Sequence, residues 1–375
     1  MLDAYPRAIV ATLALRNFRN FERLELELPN AGVAVVGDNG QGKTNLLEAI
    51  YYLSLLRSVR GARDADVVRF GADAFYIDAS ICAPASRRVA IGFDRAGRKK
   101  RVRLDDAIVD RMSDALGSLP AVMFSPGDVD IVAAGASARR RFLDIMLSLS
   151  SRGYLRALQE YRAALDRRNA ALRDAARRGT SASHDAIAVW EPPLAEHGAR
   201  LARARRMWVQ QVAGRFRERC EAIGERGSAT LRYVTNVDVN AESAEGALAE
   251  ALAARRATDV RFGVTQVGPH RDDLALELDG RELRVFGSAG QQRTAAIALR
   301  TLEAETLRDA CGAAPVFLLD DPFAELDERR ASRVLTLIAT IGIGQTVLVV
   351  PRDNDIPAEL TDLPRRRVAG GAIAP

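Results

Sequence analysis

Few residues in this 375-residue sequence can bind a transition metal or form a disulfide bond. The three cysteines, Cys82, Cys220 and Cys311, lie far apart without a C-x-x-C pair, so we expect reduced thiols in a cytosolic protein. The three histidines have no metal-ligand spacing with one another or with the cysteines. The sequence therefore argues against a zinc site.

Long apolar segments are missing as well. No apolar run reaches the ~18–20 residues that cross a bilayer, and residues 1–6 lack the basic start and apolar segment of an export signal. Hydrophobic residues make up 48% of the chain and charged residues 27%, as in soluble globular proteins. The length allows one large or two ordinary domains, which we expect to be cytoplasmic.

Lysine is scarce, because only Lys43, Lys99 and Lys100 are lysines among the 54 basic residues. The net charge of +5 and the pI of about 9.3 permit an anionic partner without requiring one. Arginine-rich clusters occur at residues 98–103, 139–141, 203–206, 215–219 and 365–367. Solvated helix faces and contacts with nucleic acid both stay open as explanations of these clusters.

Lys43 belongs to a segment, residues 37–44, that fits the phosphate-loop pattern G-x-x-x-x-G-K-[ST]. Its glycines let backbone N–H groups surround phosphates, Lys43 adds a compact charge that a forked guanidinium does not replace, and Thr44 offers a magnesium ligand. A strand-like run precedes this segment and helical apolar spacing follows it, so a helix N-terminus would face the anion. The predicted nucleotide-binding residues are Gly37, Asp38, Asn39, Gly40, Gln41, Gly42, Lys43 and Thr44.

The rest of the pattern predicts an α/β head interrupted by helices. Alternating or apolar runs predict strands at residues 9–15, 23–28, 32–36, 75–83, 88–93, 100–104, 119–124, 229–239, 274–278, 316–321 and 345–350, and Asp279-Gly280 reads as a hairpin turn. Between residues 129 and 224, Ala, Arg and Leu recur at helical spacing around a polar break at 178–184. We expect a discontinuous head, residues 1–125 and 226–375, with a mixed sheet and flanking helices, and an inserted helical lobe at 126–225.

A second group of residues can complete the phosphate site. The apolar run at 316–321 ends in two acids: Asp320 can hold the magnesium that Thr44 also ligates, and Asp321 can activate the attacking water. Ser288 precedes a helical pattern and can act as its N-cap, leaving N–H groups at a positive helix end. Each pattern alone has an ordinary structural explanation, but their occurrence beside a phosphate loop favours a catalytic site.

The order of these motifs resembles the heads of ABC-type ATPases. Residues 288–291, Ser-Ala-Gly-Gln, are similar to the signature motif, and residues 325–327, Glu-Leu-Asp, are similar to the D-loop. Within that group the chain resembles the RecF family, which is related to SMC proteins. The segments that carry this resemblance are residues 15–21, 40–49, 124–126, 140–144, 268–274 and 290–294.

The resemblance implies an SMC-like head without a long coiled coil. It implies that ATP and Mg²⁺ bind between two subunits, where Ser288, Gly290 and Gln291 of one subunit complete the site of the other. Catalysis would rest on Asp321 and Lys43, and each subunit alone would be a weak ATPase. The homodimer would close on duplex or gapped DNA and, with RecR- and RecO-type mediators, help to load recombinase at single-strand gaps, which supports replication restart and SOS induction.

Some positions depart from the ABC-type pattern. Ala324 stands where the D-loop usually has Ser, no Gln between Gln41 and Gln159 can serve the lobe junction, and Pro351-Arg352 replaces a switch His. These departures indicate slow hydrolysis and argue against the energising subunit of a transporter. A nuclease-associated SMC-like ATPase is a further alternative, and it would predict a metal-binding acidic cluster after the head.

Overall fold

The computed structural model describes residues 5–83, 85–178, 184–237, 243–322, 326, 328–342 and 344–374. None of the helices in these ranges is long and apolar enough to cross a membrane. The chain divides into two compact units. The first unit comprises Met1–Val129, Arg219–Arg226 and Ala289–Pro375, and the second comprises Asp130–Glu218 and Gly227–Ser288.

Helices and strands are numbered separately in chain order. The helices are α1 (Lys43–Leu55), α2 (Asp64–Val67), α3 (Met112–Ala115), α4 (Asp130–Ala133), α5 (Ala136–Ser150), α6 (Arg152–Arg178), α7 (His184–Ala188), α8 (Glu191–Ile223), α9 (Ala244–Phe262), α10 (Leu283–Phe286), α11 (Ala289–Cys311) and α12 (Glu328–Ile341). The strands are β1 (Ile9–Phe18), β2 (Phe21–Glu27), β3 (Gly32–Val36), β4 (Ala74–Ala83), β5 (Arg87–Asp94), β6 (Lys99–Leu104), β7 (Ala107–Ile108), β8 (Ala121–Phe124), β9 (Ala229–Val234), β10 (Asp273–Leu278), β11 (Arg281–Glu282), β12 (Val316–Asp320), β13 (Thr346–Val350), β14 (Arg365–Ala369) and β15 (Ala372–Ala374).

Two six-stranded sheets form the first unit. The N-terminal sheet is antiparallel and has the strand order β2-β1-β4-β5-β6-β7. The second sheet has the order β15-β14-β3-β13-β12-β8, and its strands pair in parallel except for β14 with β15. The strands β3, β12 and β13 are buried along nearly their whole length, as expected for central strands covered on both faces. The carboxyl ends of β3 and β12 therefore meet at one edge.

The helix α1 is the central element of the first unit. It packs against β12, β8 and β13 of the parallel sheet and against β1 of the antiparallel sheet, and most of its residues are buried, as is typical of a helix covered on all sides. Tyr52 of α1 makes edge-to-face contacts with Phe18 and Phe75, with ring centroids 6.1 and 5.6 Å apart. The helix α1 is thus fixed between both sheets.

A buried glutamine joins the two sheets of the first unit. The side chain of Gln345, just before β13, accepts a hydrogen bond from the Val10 N–H and donates to the carbonyls of Val10 and Pro29, all at 2.9 Å. A buried amide is stabilising only when its donors and acceptors are paired, as they are here. Gln345 therefore fixes β1 against the parallel sheet.

The second unit combines the long helices with a three-stranded antiparallel sheet, β11-β10-β9. Within this unit α5 packs against α6 and β10, and α6 packs against α9. Arg168 on α6 is fully buried and donates to Asp259 at 2.7 Å, Thr265 at 2.8 Å and Glu191 at 3.0 Å. Such a network persists in an apolar interior only because each charge has a partner.

The α/β architecture with flanking helices agrees with the sequence expectation. Its strands form two main sheets in the first unit, because β3 pairs with β13 and β14. The expected division into a head and a helical lobe stays a prediction, and residues 227–288 belong to the second unit, where Arg139 on α5 holds Asp273 on β10 at 2.7 Å. The hairpin β14–β15 was not expected, and the polar break at 178–184 lies largely outside the described residues.

His270 in the second unit predicts a pH-dependent stability. The imidazole bonds to the Tyr161 hydroxyl at 2.6 Å and to the Thr265 carbonyl at 2.9 Å, and burial lowers the pKa of His270 from 6.5 to about 4. The unfolded chain therefore binds a proton below pH ~6.5 that the folded chain does not bind, so stability falls as the pH falls. We expect this residue alone to lower the unfolding free energy by about 2 kcal/mol between pH 7.5 and 5.

Urea unfolding followed by circular dichroism at several pH values tests this expectation. The His270→Gln variant should lose stability less steeply than the wild type between pH 7.5 and 5. If both proteins show the same pH dependence, the imidazole is not held neutral in the fold.

Candidate functional site

The phosphate loop follows β3 and leads directly into α1. The buried Lys43 ammonium donates to the Gly37 carbonyl, to the Asp38 carbonyl at 2.9 Å and to Asn39 Oδ1 at 3.3 Å. Burial lowers the pKa of Lys43, and the negative charges of Asp320, Asp321 and Asp38 oppose this shift. The ammonium is thus held at the opening of the loop, where the charges of Asp320 at the end of β12 and of Asp321 act on it.

Glycine is required where the loop approaches its neighbours. Gly42 has φ 113°, and a Cβ at this position would lie 2.5 Å from Nδ2 of Asn20. Asn20 uses that Nδ2 to donate to the Gln41 carbonyl at 2.9 Å, while its Oδ1 accepts from Asn45 Nδ2 at 2.8 Å. Asn20, in the turn between β1 and β2, therefore hydrogen-bonds both to the loop, at Gln41, and to the first turn of α1, at Asn45.

The side chain of Gln41 is also engaged. Its Oε1 accepts from the Gly370 N–H at 2.6 Å, and its carbonyl accepts from the Gly371 N–H at 3.3 Å. These two glycines form the turn between β14 and β15. The hairpin that the sequence did not predict thus supports the phosphate loop.

Thr44 and Asp320 lie side by side. The Thr44 hydroxyl donates to Asp320 Oδ1 at 3.1 Å, which joins the start of α1 to the end of β12. Burial raises the pKa of Asp320, and the Thr44 hydrogen bond and the positive charge of Arg60 oppose the shift. A hydroxyl and a carboxylate oxygen at this separation match neighbouring ligands of an octahedral ion with bonds of about 2.0–2.1 Å. The chemistry and spacing of this pair fit Mg²⁺, and the metal site stays a prediction.

Asp321 lies next to this pair with an unusual backbone. Its φ is 45°, a left-handed value that is uncommon outside glycine, and its N–H donates to the Val349 carbonyl at 2.9 Å. Burial raises the pKa of Asp321, helped by the charge of Asp355 and opposed by Lys43 and Arg293. Strained residues of this kind cluster at functional sites, and a raised pKa suits a carboxylate that takes up a proton.

These groups border one open cleft of about 450 Å³. The residues that line it are Asn39, Gly40, Gly42, Lys43, Thr44, Asn45, Arg60, Pro126, Asp320, Asp321 and Pro351. The volume lies within the range of ligand sites in proteins. The structure therefore brings the predicted phosphate loop and both predicted acids together.

Arg60 is a cleft residue that the sequence did not single out. Its Nη1 donates to Asn45 Oδ1 at 3.3 Å and its guanidinium lies 4.0 Å from the fully buried carboxylate of Glu48. Glu48 also accepts from Ser58 at 2.5 Å and from Arg19 at 2.8 and 2.9 Å, so it fixes the loop that carries Arg60. No sequence signal separates Arg60 from the many other arginines, because only the fold brings it to the cleft.

The predicted signature residues occupy a different place. Ser288 is exposed and immediately precedes the 23-residue helix α11, whose first turn contains Gly290 and Gln291. None of these three is among the described residues that line the cleft. One turn further on, the buried Arg293 donates to the Pro322 carbonyl at 3.2 Å, which links α11 to the end of the double-acid strand. The D-loop residues 324, 325 and 327 lie outside the described residues.

Most arginine clusters have structural partners. Arg205 is buried and donates to Asp144 and to the Pro269 carbonyl, both at 2.7 Å. Arg140 donates to the Asp272 carbonyl at 2.7 Å, and Arg367 donates to Asp353 at 2.8 Å. Charge clusters in the sequence therefore did not mark one basic surface.

Known proteins are similar to this chain over nearly its whole length. The family model for the RecF/RecN/SMC N terminal domain matches residues 9–359. A protein of Anaeromyxobacter sp. (strain Fw109-5), named DNA replication and repair protein RecF, is 37% identical over 371 residues, which cover 97% of this chain and 98% of the relative. A protein of the same name from Salinibacter ruber is 35% identical over 352 residues, with coverage of 92% and 85%.

Solved structures agree with this similarity. The recombination mediator protein RecF-ATP in the RecFOR pathway superposes with a TM-score of 0.88 at 27% identity and covers 100% of this chain and 99% of that chain. An Smc head domain from Pyrococcus furiosus superposes with a TM-score of 0.55 at 15% identity and covers 98% and 95%. The second similarity concerns the fold alone.

Proposed function

The chain belongs to the RecF/RecN/SMC N-terminal domain family and is a recombinational repair ATPase, and we propose that ATP binding closes two copies of it on DNA at single-strand gaps. The observation that carries the proposal is the cleft in which Lys43, Thr44, Asp320 and Asp321 converge. The RecF structures similar to this chain are described with ATP and within the RecFOR pathway. We therefore assign DNA and RecR- and RecO-type mediators as partners.

In the proposed site, the phosphate loop binds the triphosphate. Lys43 exchanges its bonds to loop carbonyls for bonds to phosphate oxygens, and the N-terminus of the 13-residue helix α1 faces the same charge. Arg60, which borders the cleft, provides a second cation. Loop and helix of one subunit thus bind the triphosphate together.

Thr44 and Asp320 hold Mg²⁺ in this proposal, and the ion neutralises phosphate charge when it is bound. Asp321 orients the attacking water and accepts its proton. Ser288, Gly290 and Gln291 bind the phosphates of the partner subunit, because they lie at an exposed helix N-terminus and do not border the cleft of their own chain. The site is therefore incomplete in one subunit, and a single subunit hydrolyses ATP slowly.

Other ATPase classes are not favoured. The curated relatives that align over 85–98% of their own length are named RecF, and neither a transporter subunit nor a nuclease-associated ATPase accounts for that agreement. Because the proposed function acts on chromosomal DNA, we assign the protein to the cytoplasm.

The salt dependence of DNA binding tests the proposal. With ATP and Mg²⁺ present, the affinity for a labelled duplex should fall steeply with salt, because each phosphate that a basic side chain neutralises contributes about −0.9 to the slope of log K against log [salt]. Fluorescence anisotropy between 50 and 300 mM salt measures this slope. A flat plot would remove DNA as the partner.

A further inference from the structure

The outer face of the N-terminal sheet carries an exposed patch that the nucleotide site does not use. Along β6, Val102 is buried, whereas Lys99, Arg101 and Arg103 are exposed on the opposite face. Tyr76 on β4 and Ile108 on β7 lie on the same face and are 56% and 57% exposed. We call these five residues the β6 patch. They border a cavity of about 490 Å³.

The strand register places Tyr76 at the centre of the patch. Tyr76 pairs with Gly92 on β5, and Gly92 pairs with Arg101 on β6, so the three residues form one row across the sheet. A Cβ on Gly92 would lie 2.8 Å from the Tyr76 ring. The ring therefore lies over a position without a side chain, and Tyr76 is more than half exposed in the same row as Arg101.

The basic residues of the patch are unpaired. Within the described part of the chain, Lys99, Arg101 and Arg103 have no carboxylate partner. Two acids also border the cavity. Asp78 pairs with Arg88 at 2.7 and 2.9 Å, whereas Asp94, which lies opposite Lys99 in the strand register, accepts from the Gly97 N–H at 2.9 Å and keeps its negative charge. Positive charge still exceeds negative charge on this face, and this excess favours an anionic occupant.

The spacing of the three basic residues and the exposed ring of Tyr76 indicate which kind of anion the patch binds. Alternate residues of a strand lie about 6.6–6.8 Å apart, which is comparable to the distance between successive phosphates of an extended nucleic-acid strand. Exposed aromatic rings beside basic side chains form stacking platforms for unpaired bases. Bases in a duplex are already stacked on each other and cannot use such a ring.

We infer that the β6 patch binds single-stranded nucleic acid, with one base stacked on Tyr76 and the flanking phosphates held by Lys99, Arg101 and Arg103. This inference rests on the proposed DNA-binding function and assigns it a surface. In this inference the patch binds the unpaired part of a gapped substrate.

The contribution of the three basic residues is tested by measuring how tightly the full chain, in the presence of ATP, binds a fluorescent 25-nucleotide oligo(dT). The triple variant Lys99→Gln, Arg101→Gln, Arg103→Gln should bind at least about tenfold more weakly, and its log–log salt slope should be shallower by about 2, because each lost phosphate contact removes about 0.7. The control variant Arg217→Gln, Arg255→Gln, Arg281→Gln removes the same charge from other exposed positions and should retain the wild-type slope.

The stacking contribution is tested at Tyr76. Tyr76→Phe should retain wild-type affinity for the oligonucleotide, whereas Tyr76→Ser should lose about 5- to 150-fold, the range for removal of one stacked base. Affinity for a blunt duplex should be unchanged in both. Retained ATP binding in each variant shows that the fold is intact.

The outcomes separate the two proposals. If the wild type binds no DNA at any salt concentration, the proposed function itself fails. If the wild type binds oligo(dT) but the triple variant behaves like its control, or Tyr76→Ser behaves like Tyr76→Phe, the inference is wrong and the proposed function stands. Loss of duplex binding alone in the triple variant would also overturn it, because the patch would then be a duplex surface.

Discussion

Lys43→Ala should lower the affinity for ATP by roughly 30- to 5,000-fold. Lys43 carries the buried ammonium of the phosphate loop, next to the cleft that Asp320 and Asp321 border. Truncation of one partner of a buried charge pair costs about 2–5 kcal/mol, since the other charge is left unpaired. Isothermal titration calorimetry with ATP and Mg²⁺ measures the loss.

Two further variants identify the cause of this loss. Lys43→Arg keeps the charge but replaces a compact ammonium with a planar fork, and we expect it to bind ATP poorly as well. Lys99→Ala removes an exposed lysine on β6 and should bind ATP like the wild type. ATP affinity within twofold of the wild type in Lys43→Ala would show that the loop does not bind the phosphates.

Ser288→Arg should abolish ATP-dependent dimerisation while leaving ATP binding within about twofold of the wild type. Ser288 is exposed immediately before α11, and the long arginine side chain would occupy the space in which the partner's phosphates are proposed to lie. Sedimentation velocity should show the wild type shifting from monomer to dimer with ATP and Mg²⁺, and the variant should remain a monomer.

Ser86→Arg is the matched control for this substitution. Ser86 is exposed in the connection between β4 and β5, so the same increase in size and charge occurs away from the signature helix. This control should dimerise normally. Normal ATP-dependent dimerisation of Ser288→Arg would refute a site shared between subunits.

The site was predictable where local sequence determines geometry. A phosphate loop between a buried strand and a helix needs no tertiary information, and β3 spans the residues expected of it. Asp320 and Asp321 were recognisable because an apolar strand that ends in acids has a known role beside such a loop. Thr44 and Asp320 are 276 residues apart in sequence, yet they are hydrogen-bonded.

The contacts that support the loop were not predictable in the same way. Asn20 and Arg60 contact Gln41 and Asn45, and the predicted Gln41 contacts Gly370, 329 residues away in the sequence. In the last case a signal existed, since Gly370 and Gly371 form the two-residue turn typical of a hairpin. The adjoining arginine cluster at residues 365–367 left a solvated surface and a nucleic-acid contact both open.

Arginine content was the least informative pattern. The cluster at 139–141 contributes a partly buried ion pair between Arg139 and Asp273, whereas the cluster at 98–103 contributes the basic residues of the β6 patch. The two differ only in which strands and helices surround them. The arginine content therefore permitted an anionic partner without requiring one, and it did not locate a surface.

The central claim is that ATP binding controls DNA binding. Its most direct test is the titration of a labelled gapped duplex with the wild-type protein, with ATP and Mg²⁺ and without nucleotide, at one salt concentration. We predict that affinity is at least about tenfold higher with ATP, equivalent to 1.4 kcal/mol of coupling between the two sites. Equal affinity in both titrations would contradict the account.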